Sequence, residues 1–267
     1  MNDGSGYGSD GSDDGGGPAG DAIDLLRGMV EAAESVVAFT GAGISTESGI
    51  PDFRSPGGIW SKNQPIDFRD FMASEEMRIE SWRRKFATDE VMRKAKPNLG
   101  HRALAALARR GKLSCVITQN VDGLHQASGL DPRQVIELHG NATYATCLHC
   151  GKRHELEPIR VYFEATGMPP ACVACDGILK TATISFGQAM PEAEMRRAQV
   201  ETLACDLFLA VGSSLVVYPA AGFPMLAKQN GAALVILNRD PTDQDESADL
   251  VLHREIGPTL GAVVQVN

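Results

Sequence analysis

Ser35-Val36-Val37-Ala38-Phe39-Thr40-Gly41-Ala42-Gly43-Ile44-Ser45 is the stretch on which the fold turns. Its first half is a short apolar run of the kind that forms a strand covered on both faces. Its second half is a glycine-bearing turn that predicts a strand leading straight into a helix. The glycines remove Cβ atoms where backbone can approach a dinucleotide pyrophosphate at a helix N-terminus. A hydride-transfer fingerprint would place a third glycine at position 46, where this chain has Thr46. The turn therefore suggests dinucleotide binding of another kind, and taken alone it is equally a tight strand-to-helix turn.

Outward from this stretch the chain alternates helix-like and strand-like segments. Ile23 to Ala33 has helical spacing, as does Asn98 to Arg110. Ser114–Thr118, Val135–Leu138 and Ala248–Leu252 read as short strands, and Ala204–Val211 and Ala232–Leu237 as continuous buried ones. This alternation predicts an α/β fold with a Rossmann-like, doubly wound parallel sheet. Two stretches break the rhythm. Residues 55–97, with Trp60 and Trp82, read as a helical insertion, and residues 141–180 show little strand periodicity. The expected organisation is a disordered tail over 1–20, then Rossmann-like segments 21–54, 98–140 and 181–267. The insertion and the 141–180 module would make a small second domain.

The 267 residues suit one large domain with a small insertion. No apolar run approaches the ~18 residues that a membrane helix needs. The N-terminus has no basic-then-apolar signal pattern. Thirty-four acidic residues against 25 basic give a formal charge of -9, which argues against general nucleic-acid binding and suits a partner that presents lysine. Six cysteines without a secretory signal read as metal ligands plus two buried thiols, Cys115 and Cys205, in a reducing, cytoplasmic setting.

Four of those cysteines carry the most specific signal. Cys147-x-x-Cys150 and Cys172-x-x-Cys175 offer two pairs of thiolates to one tetrahedral ion. Four thiolates leave no open position for water, so the predicted zinc is structural, one per chain. His149 and His154 lie nearby but are not needed as ligands. Without a metal, residues 141–180 would have little core of their own.

The polar clusters sit at predicted strand ends, where open α/β sheets bind ligands. Gln119-Asn120-Val121-Asp122 places three amide or acid side chains after one strand, able to bond ribose hydroxyls and a carboxamide, or to cap a helix. His139, before Gly140 at the end of another strand, is a candidate general base near neutral pH, although a lone histidine is more often structural. In Gly49-Ile50-Pro51-Asp52-Phe53-Arg54, Arg54 could face a phosphate and Phe53 could cover a reactive centre; a surface turn is the plainer reading. Gly212-Ser213-Ser214 and Asn238 suit ribose and phosphate contacts, or ordinary turns.

Taken in order, GAGIS, GIPDFR, TQNVDGLH, His139-Gly140, the two Cys pairs, GSSL and Asn238 strongly resemble the sirtuin family, over roughly Asp21 to Ala262. The resemblance implies a Rossmann-like domain with a small zinc-ribbon and helical domain, NAD and acyl-lysine meeting between them. It implies an NAD-dependent protein lysine deacylase, most simply a deacetylase, that consumes NAD as co-substrate. The acyl oxygen would attack C1′ of the nicotinamide ribose and nicotinamide would leave. His139 would be the general base on the ribose hydroxyls, with Asn120 ordering ribose and water. Asp122 would contact the carboxamide and Gln119 the ribose. Gly41, Ala42, Gly43, Ser45, Asp52, Phe53, Arg54, Gly212, Ser213, Ser214, Asn238 and Ile256 would line the rest of the NAD site. The partners implied are acyl-lysine proteins or peptides, not nucleic acid or membrane.

The chain also departs from the family. Phe186-Gly187-Gln188 stands where many members have Phe-Gly-Glu at the peptide edge, and no Tyr-x-x-Arg pair occurs in the insertion. Trp82-Arg83-Arg84 somewhat resembles members acting on bulkier acyl groups or transferring ADP-ribose. Mono-ADP-ribosyl transfer from the same NAD site is therefore the rival activity. A zinc-ribbon binding module without catalysis is the rival from another class.

Overall fold

The structure is a computed structural model, and residues 18–52 and 64–266 are described below. The expectations for residues 1–17, Phe53, Arg54 and Trp60 lie outside the described residues.

Helix α1 (Pro18–Ala32) leads into β1 (Val36–Thr40), a strand buried at all five positions. A seven-residue 3-10 helix, Ala42–Ser48, follows immediately. Helices α2 (Phe68–Ala73) and α3 (Glu75–Lys94) form the insertion. Each starts at a side-chain cap: Asp67 accepts from the Arg69 N–H and Ser74 from the Met77 N–H. Asn98 does the same for α4 (Leu99–Arg109), its Oδ1 accepting from the N–H groups of Gly100 and His101. Then come β2 (Leu113–Thr118), the one-turn α5 (Leu124–Ala127) and β3 (Val135–Glu137).

The chain next enters the small domain through β4 (Gly140–Cys147), β5 (Arg153–Glu155), α6 (Leu156–Thr166) and β6 (Leu179–Thr183). It returns to the large sheet with α7 (Glu192–Ala204), β7 (Leu207–Val211), α8 (Phe223–Gln229), β8 (Ala233–Leu237), β9 (Leu250–Leu252) and α9 (Ile256–Val264). Among the described residues no helix is long and apolar enough to cross a membrane.

The large sheet has the order β3-β2-β1-β7-β8-β9 with every neighbouring pair parallel. The chain moves outward from β1 in one direction, then restarts at β7 and moves out in the other. The strand order thus reverses between β1 and β7, which is where such sheets open a crevice at their carboxyl ends. Alternate residues of one strand enter opposite cores, which is why these strands read as unbroken apolar runs. Val36 and Ala38 pack with Leu104, Leu107 and Leu260 on one face, while Val37 and Phe39 pack with Phe208, Ile117 and Phe223 on the other.

The small domain corrects the expectation of a stretch with little strand content. It holds a three-stranded antiparallel sheet, β5-β4-β6, running from Gly140 to Thr183 and so past both ends of 141–180. The strands escaped detection for two reasons. The β4–β6 register shifts between Gly140 and Ala145, and β5 is three residues long with mixed exposure. The insertion and the cysteine module also share one core: Trp82 of α3 is buried with Ala145, Cys147, Ile159, Cys172 and Leu179. Beside it, buried Asp89 of α3 accepts from Lys85 at 2.5 Å and from Arg160 of α6, and the Arg160 guanidinium lies 5.2 Å from the Phe86 ring centroid. A carboxylate so buried is tolerable because both its oxygens meet cations.

At the switch point the turns after β1 and β7 touch backbone to backbone. The Gly43 N–H donates to the Gly212 carbonyl at 2.8 Å, and the Gly212 N–H donates to Leu237 at 2.9 Å. A Cβ on Gly43 would lie 2.7 Å from Gly212 Cα, and one on Gly212, whose φ is 64°, would lie 2.4 Å from the Ile44 nitrogen. The Gly212→Ala substitution combines a left-handed φ with that overlap. It should lower unfolding stability by about 2 kcal/mol or more. Urea denaturation checks this, and an unchanged midpoint would contradict the contact.

Candidate functional site

A cavity of about 960 Å³ opens above the carboxyl ends of β1, β2, β7 and β8. The large domain supplies Gly41, Ala42 and Gly43 after β1, and Gln119 and Asn120 after β2. Gly212, Ser213 and Ser214 follow β7, and Asn238 follows β8. Asp52, His139 and Ile256 complete the residues singled out in the sequence that line it. Across the opening stand Ile66, Phe71, Ser81 and Arg84 from the insertion and the segment Thr183–Gly187 at the end of β6. The cavity therefore lies between the two domains.

The side chains at the strand ends are locked by one another. Asn120 Nδ2 donates to the Gly41 carbonyl at 3.0 Å and to Ser45 Oγ at 3.2 Å. The Ser45 hydroxyl donates in turn to Asp122 Oδ2 at 2.7 Å, and Asp122 Oδ1 accepts from the Leu124 N–H at the start of α5. Ser45 and Asp122, both expected to contact the ligand, are thus occupied with each other and do not line the cavity. Gln119 Oε1 accepts from the Ser213 hydroxyl at 2.8 Å, tying the loops on either side of β1 together.

Beneath Asn120 runs a second chain of bonds. Its N–H donates to Thr118 Oγ1, which also accepts from Thr40 Oγ1 at 2.8 Å. With the Thr40 proton so used, its oxygen accepts from His125 Nε2 at 2.9 Å. Burial keeps the imidazoles of His125 and its neighbour His101 neutral, pushing them down to about 3 and about 4.

His139 sits where β3 ends and the chain crosses into β4. Its Nδ1 is 3.0 Å from the Gln119 carbonyl, which can only accept, so Nδ1 carries the proton. In the neutral ring this leaves Nε2 as the basic nitrogen of a side chain that lines the cavity. Burial lowers the pKa of His139 below its ordinary value, and the bond to Gln119 opposes this in part. The His139 carbonyl accepts from the Ile184 N–H at 2.8 Å, so the same residue anchors the edge segment beyond β6. Lys180, buried in β6, donates to the Thr183 carbonyl, and burial pushes its ammonium down to about 8.

In the small domain the four sulfurs of Cys147, Cys150, Cys172 and Cys175 lie within 4.8 Å of one another. The Cys147–Cys175 and Cys150–Cys172 separations are 3.5 and 3.7 Å. A zinc tetrahedron with bonds of about 2.3 Å has edges of about 3.8 Å, whereas a disulfide needs about 2 Å, so the spacing is that of metal ligands. Gly177 makes the approach possible, since a Cβ there would lie 2.8 Å from Cys147 Sγ. The His149 N–H donates to Cys147 Sγ at 3.4 Å, which favours the thiolate that a metal requires. The residues fit a closed structural zinc. His154 Nε2 stands 3.4 Å from Cys172 Sγ, beside the sulfur cluster.

Part of the far wall was not legible in the sequence. Ile66 precedes α2, and Phe71 and Ser81 belong to helices with no motif, so only their placement over the strand ends makes them site residues; Arg84 was noted only as part of Trp82-Arg83-Arg84. Thr46 also lines the cavity. It was noted only as the residue in place of a third glycine, although its adjacency to the GAGIS turn was a usable signal.

A family model for the Sir2 family matches residues 41–219. An NAD-dependent protein deacetylase of Rhodopseudomonas palustris is 60% identical over 242 residues, covering 91% of this chain and 96% of the relative. NAD-dependent protein deacetylase 1 of Bradyrhizobium diazoefficiens is also 60% identical, covering 91% and 95%. Among solved structures, a Sir2 protein with a p53 peptide and NAD+ superposes with a TM-score of 0.80 at 34% identity, covering 91% of this chain and 97% of that one. Another, with a deacetylated p53 peptide and 3′-O-acetyl ADP ribose, reaches 0.83 at 35% identity, with the same coverage.

The sulfur cluster should hold about one zinc ion per chain, measured by elemental analysis. Because Cys147 and Cys172 share a core with Trp82, the Cys147→Ser variant should lose both the metal and several degrees of melting temperature. Metal-free protein with an unaltered melting curve would contradict this.

Proposed function

The chain belongs to the Sir2 family, and from that premise we propose that it removes acetyl groups from protein lysines while consuming NAD. The products would be nicotinamide, O-acetyl-ADP-ribose and the free lysine. The observation that carries this reading is one histidine. His139, whose Nδ1 is held by the Gln119 carbonyl so that Nε2 is left unprotonated, lines an interdomain cavity whose large-domain wall is polar at four strand ends and whose far wall offers apolar side chains.

The cavity suits two guests. Its volume, about 960 Å³, lies near the top of the ~300–1,000 Å³ range of ligand sites. Ser213, Ser214 and Asn238 are placed for ribose and phosphate oxygens, with Gly41, Ala42 and Gly43 close behind. Ile66, Phe71, Val121 and Ile184 would take the aliphatic stem of lysine and a small acyl group, and the 183–187 edge would lie along the peptide. NAD would supply an electrophilic C1′ and a leaving nicotinamide. Gln119 and Asn120, immobilised by Ser213 and Gly41, would orient the ribose, and His139 Nε2 would take the proton of a ribose hydroxyl. Asp122 and Ser45 would hold Asn120 and α5 in place, with the Asp122 carboxylate open to a carboxamide if their mutual bond is exchanged. Phe53 and Arg54 would cover and pair with the remaining NAD surface. Cys115 and Cys205, reduced and buried, suit a cytoplasmic setting.

Removing the base should cost about 100- to 10,000-fold in turnover of an acetyl-lysine peptide with NAD. His139→Ala tests this, with an unchanged melting temperature as the control for folding. In the native enzyme, burial favours the neutral ring, so the base form survives to lower pH than usual. Activity should therefore fall only as pH drops below the ordinary histidine value of 6.5. Full activity of His139→Ala, or an acid limb centred above 6.5 in kcat/KM, would contradict the assignment.

A further inference from the structure

A second depression, of about 700 Å³, lies between α7 and α8 on the outside of the large domain. Its floor is Met190, Met195, Phe223, Met225 and Leu226. Met190, Met195 and Leu226 are only partly buried against the sheet core, because α7 and α8 already seat Ala198, Phe223 and Ala227 in it. The fold therefore leaves an apolar trough that it does not use. The charged rim residues Glu192 and Arg196 face each other at 3.6 Å and are exposed, so the rim favours no net charge in a guest. Methionine side chains adapt their shape to different apolar partners.

The trough borders the catalytic cavity. Met190 and Pro219 form part of both walls, and Phe186 and Tyr218, both exposed, line the cavity. A peptide lying along the 183–187 edge would pass close to this boundary, since Met190 follows that edge by three residues.

We propose that the trough is a second substrate site, which binds an uncharged apolar side chain from the segment flanking the acyl-lysine of the protein substrate. This rests on the deacetylase reading above. It makes substrate choice depend on a residue outside the cavity, while chemistry stays with His139.

Gly222 provides the test. It lies in the trough wall with φ −80° and ψ −19°, a conformation open to any residue, and a Cβ there would have nothing within 4 Å. Gly222→Phe should fill the trough without strain. The substrates are a short acetyl-lysine tripeptide and longer Gly/Ser acetyl-lysine peptides carrying one Leu, walked about three to eight residues to either side. With the native enzyme, one register should lower KM by about tenfold, the effect of burying part of a Leu side chain. Gly222→Phe should abolish that gain and leave kcat and KM for the tripeptide unchanged. Met225→Glu, at a partly exposed position, should do the same if the bulky variant folds poorly. Loss of the gain with kcat preserved supports the proposal. A walk without any favoured register, or a gain that survives both substitutions, overturns it. So does a dimer that both variants dissociate with no change in peptide KM, which would assign the trough to a second copy of the chain. No NAD-dependent turnover of the tripeptide by native enzyme would sink the deacetylase reading itself, an outcome distinct from a flat Leu walk.

Discussion

The Gly43 N–H donates to the Gly212 carbonyl across the point where the strand order reverses, and neither residue has room there for a Cβ. Everything above the sheet depends on that approach. It brings the turn after β1 against the turn after β7, so that Ser213 reaches Gln119 and Asn120 reaches Gly41. The space that the glycines free is taken chiefly by the other turn. They let two loops meet and leave a crevice beside them. A dehydrogenase-type reading of the same glycines would place the ligand itself in that space.

His139 couples this platform to the small domain. Its ring is fixed by the Gln119 carbonyl of the large sheet, and its own carbonyl fixes Ile184 of the small one. The small domain has its own dependency: Trp82 of α3 is buried in one core with Cys147 and Cys172, while Ser81 and Arg84 of the same helix line the cavity. The sulfur cluster thus supports the wall that faces His139, although it lies outside the chemistry. Helix α3 carries one buried aromatic anchor, Trp82, and one buried carboxylate, Asp89, and both tie it to the cysteine module.

The parallel sheet was legible in the sequence because its strands are covered on both faces and so read as unbroken apolar runs. Val36–Thr40, Leu207–Val211 and Ala233–Leu237 all fall within or one residue beyond the segments expected. The cysteine site was legible because tetrahedral chemistry constrains spacing. The antiparallel sheet of the small domain was not, since a register shift and a half-exposed three-residue strand erase the period-two signal. The polar site was legible in part. Gln119, Asn120 and His139 stand at the cavity because strand ends converge there. Ser45 and Asp122 turn to each other, which spacing cannot reveal because it depends on a long-range contact. The insertion's contribution follows only from tertiary placement.

The proposed reaction joins NAD cleavage to lysine deacetylation in one cavity. Its most direct test is the product balance of a single reaction containing the full chain, NAD and an acetyl-lysine peptide, resolved by mass spectrometry. Nicotinamide, free-lysine peptide and O-acetyl-ADP-ribose should appear in equal amounts. Free acetate with NAD intact, or ADP-ribose attached to protein while the peptide remains acetylated, would contradict it.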